Sequence, residues 1–341
     1  MSQAPGVATS SAQIAVLGAG SWGTALAIQF ARAGHATALW GRDAAQMKAL
    51  ATERRNARYL PDAPFPELLR VESDLHHALK ARDVLFAVPS HALRSSLEES
   101  AAHLRDDARV AWATKGFELA SGLLPHEVAA EVLGPKIPLA VISGPTFAKE
   151  VGAGLPTAMT VAANDHVFAK ELAQNISAHN FRAYTSADII GVEVGGAVKN
   201  VLAIGAGISD GLGFGANTRI ALIARGLAEM MRLGVALGAQ KETFMGLAGL
   251  GDLVLTCTDN LSRNRRFGLA LARGQSPSEA QESIGQVVEG FLAAKALRTV
   301  AARKNVEMPI SEQIYRILHE GVSPEVATKE LMSRALKPES L

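Results

Sequence analysis

Residues 18–23, with the sequence GAGSWG, follow the apolar run IAVL and stand at the start of a helix-like segment. This G-x-G-x-x-G pattern constrains the fold because each glycine has a separate task. Gly18 permits a tight turn, Gly20 lets the backbone approach a pyrophosphate, and Gly23 lets the helix pack closely on the strand. The N–H groups at the helix start add positive potential for phosphates. The pattern predicts a dinucleotide site; the alternative is a glycine-rich turn without a ligand.

The rest of the first half alternates strand-like runs with helix-like segments, which indicates a parallel sheet with crossover helices. The strand-like runs cover residues 13–20, 36–43, 83–90, 109–116, 138–146 and 156–163. Beyond about Asp188, apolar residues recur at spacings of three and four, as in residues 218–237. We therefore predict a disordered tail over 1–11, an α/β Rossmann-like domain with a parallel sheet over 12–190, and an all-α substrate-binding domain over 191–335.

Composition excludes several classes of protein. A chain of 341 residues with 48% hydrophobic and 20% charged residues is long enough for two globular domains. Its formal net charge of +1 favours neither nucleic acid nor an anionic membrane as a partner. The start has no secretory signal pattern, and apolar runs are too often interrupted to predict a membrane span. The single cysteine, Cys257, forms no internal disulfide, and no Cys/His cluster has metal-ligand spacing. We expect a cytoplasmic protein without a metal.

Lys199 is the one cation in the apolar stretch VEVGGAVKNVLAIGAG, residues 192–207. At helical spacing Gly195, Gly196 and Ala203 share its side, which we interpret as room for an approaching group. Burial lowers the pKa of a lysine toward neutrality and suits it to proton exchange. The alternative is a lysine whose amine reaches water past its apolar neighbours. The stretch follows the predicted domain junction, where ligands often bind.

Two cations follow predicted strands. Lys115 stands at a strand terminus beside a helix start, where an ammonium can balance a substrate phosphate or a developing alkoxide; a surface lysine in a turn is the alternative. Arg42 lies about 20 residues beyond the glycine pattern, where it is placed to bind the 2′-phosphate of NADP. Asp43 beside it leaves NAD open, and a solvated strand-end arginine is the third possibility.

A second group of polar residues lies at 262–266, with the sequence SRNRR. Arg263 as a fork-shaped donor, with Ser262 and Asn264 as neutral donors, predicts a compact site for a phosphomonoester. A nucleic-acid patch is disfavoured because aromatic partners and basic surroundings are lacking. We interpret Arg265 and Arg266 as solvated charges at a helix start.

Eight segments together make the chain resemble the NAD(P)-dependent glycerol-3-phosphate dehydrogenases of the bacterial cytoplasmic type. The resemblance runs from about residue 12 to 330. The segments are GAGSWGTALA, LPDAPFP, VPSH, WATKG, ISGPTFAKE, GGAVKNVLAIGAGISDGLGFGANT, GLAGLGDLVLTCTDNLSRNRRFG and IGQVVEG. The resemblance implies reduction of dihydroxyacetone phosphate to sn-glycerol 3-phosphate with NADPH, or with NADH, for glycerophospholipid synthesis. It also implies a homodimer. The alternative is a related two-domain dehydrogenase for another small hydroxy acid, which needs no phosphate clamp.

The same resemblance assigns roles to individual residues. Lys199 is then the catalytic proton donor or acceptor. From the chemistry of proton transfer, we expect Asp252 and Asn200 to orient it. The implied substrate-binding residues are Lys115, Gly144, Thr146, Lys199, Asp252, Ser262, Arg263 and Asn264. The implied cofactor-binding residues are Gly18, Gly20, Ser21, Trp22, Gly23, Arg42, Lys115, Ala148, Arg263, Val287 and Glu289. Trp22 stands where many relatives have Tyr or Phe, so an aromatic face is retained.

Overall fold

The computed structural model describes residues 12–335, so the tail predicted over 1–11 lies outside the described residues. The first part alternates strands and helices. Its elements are β1 Ile14–Leu17, α1 Ser21–Arg32, β2 Thr37–Trp40, α2 Ala44–Glu53, β3 Arg55–Asn56, β4 Leu60–Pro64, β5 Leu69–Glu72, α3 Leu75–Ala78, β6 Asp83–Phe86, α4 Ser90–Ala101, β7 Arg109–Trp112, α5 Pro125–Leu133, β8 Leu139–Ser143, α6 Ala148–Ala153, β9 Thr157–Ala163, α7 His166–Ile176 and β10 Phe181–Ser186.

The remainder is helical. Its elements are α8 Ile189–Gly211, α9 Ala216–Ala236, a 3-10 helix Lys241–Met245, a π-helix Leu247–Gly251, α10 Asp252–Thr258, α11 Arg263–Ala272, α12 Pro277–Ile284, α13 Glu289–Arg303, α14 Pro309–His319 and α15 Pro324–Met332. The predicted fold class, an α/β unit followed by an all-α unit, is confirmed. The division of the chain at 190/191 stays a prediction; α8 begins at Ile189.

The main sheet has eight strands in the order β10-β9-β8-β7-β6-β1-β2-β5, and β3 and β4 form a separate pair. All neighbours in the main sheet are parallel except β8 and β9, which are antiparallel. We predicted a parallel sheet, and the sheet is parallel except for the β8–β9 pair. Helix α6, six residues long, extends only about 9 Å. Beyond it the chain turns back beside β8, so that β9 pairs with β8 in the antiparallel direction.

Helix α8 is the core of the helical half, and α9, α10, α11 and α13 pack around it. Among residues 12–335 it is the helix long and apolar enough to cross a membrane by length and composition, with a mean hydropathy of 1.5. Of the 18-residue apolar window in this helix, 94% is buried inside the protein. Such burial is typical of a core helix.

Glycines bring α8 and α11 into backbone contact. A Cβ on Gly207 of α8 would lie 2.0 Å from the carbonyl oxygen of Arg265. A Cβ on Gly268 of α11 would lie 2.1 Å from the carbonyl oxygen of Ile204. Any side chain at either position would separate the helices, so the two glycines fix how closely the start of α11 approaches the helix that contains Lys199.

Candidate active site

The carboxyl ends of β1, β2, β6, β7 and β8 meet at one edge of the sheet because these strands are parallel. The glycine loop follows β1, Arg42 follows β2, Lys115 follows β7, and Ser143 ends β8. The chain reverses its order of strand addition between β1 and β6. Ligands of doubly wound sheets bind at such a switch point.

The glycine loop has the shape of a phosphate cradle. Gly18 has a φ of +123°, and a Cβ there would lie 2.5 Å from the carbonyl oxygen of Ala87. A Cβ on Gly23 would lie 1.9 Å from the carbonyl oxygen of Gly18, whereas one on Gly20 would meet no atom within 4 Å. Gly20 is the N-cap of α1, and no side chain caps the helix there. Two glycines are thus required by the fold, and the third faces open space at the N-terminus of a 12-residue helix. This arrangement fits the pyrophosphate of a dinucleotide.

Two amide side chains that the sequence patterns did not single out hold this loop in place. The carbonyl oxygen of Ala19 accepts hydrogen bonds from Gln46 Nε2 at 2.9 Å and from Asn56 Nδ2 at 3.2 Å. Asn56 also donates to Thr24 Oγ1 at 2.9 Å, inside the first turns of α1. Asn56 lies in the two-residue strand β3, which carries no periodic signal, so sequence reasoning missed it.

Arg42 and Asp43 differ in their surroundings. Asp43 Oδ1 accepts the backbone N–H of Gln46 at 3.0 Å and so caps α2. Arg42 is exposed at the end of β2. Trp22, in the first turn of α1, packs partly buried against the core of the sheet unit. Its indole N–H is buried and has no hydrogen-bond partner among the described residues.

Three predicted residues form a buried ion cluster. Asp252 Oδ1 accepts a hydrogen bond from Lys199 Nζ, and Asp252 Oδ2 accepts one from Lys115 Nζ at 2.7 Å. The exposed side-chain fractions are 1% for Asp252, 9% for Lys199 and 14% for Lys115. Each ammonium also donates to a hydroxyl at 3.0 Å, Lys199 to Thr256 Oγ1 and Lys115 to Ser143 Oγ. One carboxylate therefore fixes two cations in a shielded site.

Burial and charge set the protonation of this cluster. Burial disfavours the ammonium form and lowers the pKa of Lys199 from 10.5 to about 8, against the opposing attraction of Asp252. The ammonium of Lys115 adds to this lowering. Burial alone would raise the pKa of Asp252, but the two ammonium groups hold that pKa below its ordinary value. The cluster thus pairs a stabilised carboxylate with an amine whose pKa lies well below that of an exposed lysine.

The small residues beside Lys199 make room for the protein itself. A Cβ on Gly195 would lie 2.4 Å from the carbonyl oxygen of Ala248, and one on Gly196 would lie 3.4 Å from Lys115 Cδ. The interpretation of these glycines as space for an approaching ligand is therefore wrong. They admit the π-helix backbone and the Lys115 side chain, which brings Lys115 to the same carboxylate as Lys199.

Asn200, Asn264 and Glu289 form a second cluster on the neighbouring face of α8. The backbone N–H of Gly290 donates to Asn264 Oδ1, and Asn264 Nδ2 donates to Asn200 Oδ1, both at 2.9 Å. Asn200 Nδ2 then donates to Glu289 Oε2 at 3.1 Å. Asn200 was expected to orient Lys199; its amide is instead committed to Asn264 and Glu289. The chain of bonds joins the starts of α11 and α13 to α8.

The remaining predicted positions lie around these clusters. Ser262 Oγ accepts the N–H of Arg265 at 3.2 Å and caps α11, while Arg263 is partly exposed and lies 3.4 Å from Gln286 Oε1. Arg265 is buried, so its interpretation as a solvated charge is wrong, whereas Arg266 is exposed as predicted.

The β8–α6 connection holds three further predicted positions. Gly144 has a φ of +154°, and a Cβ there would lie 2.9 Å from Met159 Cα. Thr146 Oγ1 donates to the Gly144 carbonyl at 3.2 Å, and Ala148 begins α6. Val287 is exposed in the loop before α13.

Among residues 12–335, no group of three or more His, Cys, Asp or Glu side chains is placed to hold a metal ion.

The chain is similar to known proteins over most of its length. Residues 13–169 match the model for the N-terminus of NAD-dependent glycerol-3-phosphate dehydrogenase, and residues 188–329 match the model for its C-terminus. The chain belongs to this dehydrogenase family. A glycerol-3-phosphate dehydrogenase [NAD(P)+] of Sodalis glossinidius is 58% identical, over 96% of this chain and 98% of that protein. The enzyme of the same name from Serratia marcescens is 58% identical over 97% of this chain and 98% of that protein.

A crystal structure of glycerol-3-phosphate dehydrogenase from Coxiella burnetii matches with a TM-score of 0.91 at 48% identity, covering 95% of this chain and 99% of that one. A hydride-transfer site in general needs a proton-exchanging group and a cradle for the cofactor. Thr256, the hydroxyl partner of Lys199, is the member of the cluster that sequence reasoning missed. Thr256 lies four residues after Asp252, about one helical turn away. This spacing is the sequence signal that could have identified Thr256 as a neighbour of Asp252.

Proposed function

We propose that the chain is an NAD(P)-dependent glycerol-3-phosphate dehydrogenase that reduces dihydroxyacetone phosphate to sn-glycerol 3-phosphate, with NADPH as cofactor and NADH as a possible substitute. The observation that carries the proposal is the buried Lys199–Asp252–Lys115 cluster at the carboxyl edge of the sheet. The cluster would supply the proton that reduction of a ketone requires. The identity of the substrate is inferred from the family.

The residues toward the cofactor fit a nicotinamide dinucleotide. Gly18, Gly20 and Gly23 with the start of α1 would hold the pyrophosphate, and Arg42 would bind the 2′-phosphate of NADPH. The N-capping bond of Asp43 to α2 supports Arg42 as the available charge at the end of β2. The other positions proposed to contact the cofactor are Ser21, Trp22, Lys115, Ala148, Arg263, Val287 and Glu289. When bound, the reduced nicotinamide supplies the hydride for the ketone carbon.

Lys199 is the proposed catalytic residue. Its ammonium would donate a hydrogen bond to the ketone oxygen, stabilise the negative charge that develops there, and transfer its proton to the alkoxide. Two of its N–H bonds are already directed, one to Asp252 and one to Thr256. The Thr256 hydroxyl donates to the Asp252 carbonyl at 2.6 Å, so its oxygen is free to accept from the amine. The third N–H of Lys199 therefore remains for the substrate.

The phosphate end of the substrate requires a separate set of donors. We propose that Arg263 binds the phosphate, with the Ser262 hydroxyl and the second N–H of Asn264 beside it, at the N-terminus of α11. Lys115, Gly144 and Thr146 would complete the substrate site from the sheet side. Fixing the phosphate positions the ketone against Lys199, which lowers the entropic part of the barrier.

The experiment measures NADPH oxidation with dihydroxyacetone phosphate in the wild type and in Lys199→Ala. We expect turnover to fall by at least ~100-fold while NADPH binding, followed by fluorescence, stays within about twofold, because only the proton donor is lost. Lys304→Ala, which removes an exposed lysine at the end of α13, is the matched control and should keep wild-type turnover. Near-normal turnover in Lys199→Ala would refute the role of this lysine.

A dehydrogenase for a non-phosphorylated hydroxy acid is the alternative function. The two functions differ at Arg263, because only a phosphate needs that guanidinium. For the proposed function, Arg263→Ala raises KM for dihydroxyacetone phosphate by about tenfold or more, the loss of one charged hydrogen-bonded pair. An unchanged KM would favour the alternative.

We also propose a homodimer in the cytoplasm that serves glycerophospholipid synthesis. The family supports this proposal, and the one cysteine, Cys257, is buried and free, as suits a reducing compartment. Light scattering at several concentrations tests the dimer: a mass corresponding to one chain throughout would exclude it. Fractionation of cells that express a tagged chain tests the location.

A further inference from the structure

Arg265 is a buried arginine that the proposed mechanism leaves without a task. It is 8% exposed and lies in the first turn of α11, directly after the proposed phosphate-binding residues 262–264. Its guanidinium donates to Asp210 Oδ2 at 2.5 Å and to Asn260 Oδ1. Arg219 of α9 donates to both oxygens of the same carboxylate, at 2.9 and 3.0 Å. Asp210, near the end of α8, thus joins α11 to α9.

The first turn of α11 is attached to α8 at three places. Asn264 bonds to Asn200, the carbonyl of Arg265 lies against Gly207, and the guanidinium of Arg265 bonds to Asp210. Positions 200, 207 and 210 are spaced by seven and three, so they share one face of α8. Lys199 immediately precedes the first of them. The three contacts therefore set the position of α11 along α8 and, with it, the separation between the Lys199 amine and the Arg263 guanidinium.

At Gly207 and Gly268 the two backbones are in direct contact, and neither glycine has a side chain of its own to resist sliding of one helix along the other. A buried arginine that reaches across the contact to a carboxylate on the other helix resists sliding, and its planar fork also holds Asn260 just before α11. The backbone N–H of the same residue bonds to the Ser262 hydroxyl. The guanidinium and the backbone N–H of Arg265 thus both hold the turn that carries the phosphate donors.

We propose that Arg265, through its ion pair with Asp210, is a positioning residue that fixes the phosphate-binding turn of α11 at the distance from Lys199 that a three-carbon phosphate substrate requires. Arg265 does not touch the substrate. It keeps Arg263, Ser262 and Asn264 in register with the catalytic helix, so that binding of the phosphate places the ketone at the amine. This inference rests on the proposed function and adds the residue pair that sets its selectivity for a phosphorylated substrate of one length.

The test compares two ketones in the same variants. Dihydroxyacetone phosphate uses both ends of the site, whereas dihydroxyacetone lacks the phosphate and uses only the Lys199 end. We expect Arg265→Met to lower kcat/KM for dihydroxyacetone phosphate by about tenfold or more and to change kcat/KM for dihydroxyacetone by less than about twofold. Arg265→Lys keeps the charge without the fork and should give an intermediate loss. The dissociation constant of NADPH, measured by fluorescence, should not change in either variant.

Arg266→Met is the matched control, since it removes an exposed arginine one residue further along the same helix. It should leave both ketones at wild-type values. If Arg265→Met does not fold, Asp210→Asn removes the same ion pair with little change of size and is expected to give the same selective loss. Equal losses for the two ketones, or an equal loss in Arg266→Met, would overturn the inference. Failure of the wild type to turn over dihydroxyacetone phosphate would instead overturn the proposed function.

Discussion

The pH dependence of the reaction is the most direct consequence of the buried cluster. Burial lowers the pKa of Lys199 from 10.5 to about 8. A shift of this size corresponds to about 3 kcal/mol of bias against the ammonium form. Lys199 would therefore gain and lose its proton in a range accessible to steady-state assays, whereas an exposed lysine would stay protonated throughout it.

The two directions of the reaction should respond with opposite signs. Reduction needs the ammonium of Lys199, so kcat/KM for dihydroxyacetone phosphate should be level below about pH 8 and fall about tenfold per pH unit above it. Oxidation of sn-glycerol 3-phosphate needs the free amine, so its kcat/KM should rise about tenfold per unit up to pH 8 and then level off. Between pH 7 and 10, the ratio of the two values should change by about a thousandfold.

The variant Asp252→Asn should change the pKa of Lys199 and so tests whether this lysine causes the pH dependence. The carboxylate attracts the Lys199 ammonium, while the nearby charge of Lys115 opposes it. Removing the carboxylate leaves the burial and the repulsion opposed only by the charge of Glu289, so the limb of the reduction profile should move below pH 8 by at least about one unit. The assay follows NADPH absorbance at saturating cofactor, at constant ionic strength, and at temperatures where circular dichroism shows the variant folded.

Lys199→Ala is the control for this experiment, because its residual activity should lack the limb altogether. The reasoning would be refuted by a wild-type profile that is level from pH 7 to 10 in both directions. It would also be refuted by a limb that keeps its position in Asp252→Asn, since the limb would then belong to another group.

Three further predictions concern the cofactor and the fold. Arg42→Ala should raise KM for NADPH by about 10- to 100-fold and leave KM for NADH within about twofold, because only NADPH carries the 2′-phosphate; equal effects in parallel titrations would exclude the role. Gly207→Ala places a methyl group 2.0 Å from the Arg265 carbonyl and should lower the melting temperature severely, whereas Gly215→Ala, where no atom lies within 4 Å, should not. Glu229 is buried and accepts three hydrogen bonds at the start of α14, so Glu229→Ala should cost about 2–4 kcal/mol in urea unfolding with kcat per folded enzyme unchanged; a cost below about 0.5 kcal/mol would contradict this.

The strands that sequence patterns predicted are those buried on both faces. All four residues of β1, β6 and β7 are buried, and each reads as a continuous apolar run or close to it. The edge strands β5 and β10 were missed because they are largely half-buried or exposed and carry polar residues such as Arg70 and Arg182. The antiparallel direction of β9 was also missed, because a strand run has no direction of its own and the connection over residues 144–156 is long enough for either direction.

The types of the site residues could be predicted from the sequence, but the contacts between these residues could not. Lys199 lies 53 residues before Asp252, and Lys115 lies 137 residues before it. No local period relates such positions, so their meeting depends on how the sheet and α8 pack. The glycines beside Lys199 correctly predicted that another group approaches closely. They did not predict that the π-helix backbone and the Lys115 side chain are the groups that do so. Arg265 was misread because a charge at a helix start is ordinarily exposed, and only a partner on another helix makes its burial possible.

The same cluster that would exchange the proton also joins the two halves of the chain. Lys115 follows a sheet strand, whereas Lys199 and Asp252 lie on helices of the second half. Burying an ion cluster is costly unless every charge is compensated, and here each ammonium has both the carboxylate and a hydroxyl, from Ser143 or Thr256. Removing Asp252 would leave two buried ammonium groups facing each other, so activity and stability must fall together. Removing Lys199 leaves the Lys115–Asp252 pair intact. The lysine is therefore the residue whose replacement isolates proton transfer, and Asp252→Asn must be compared at equal fractions of folded protein.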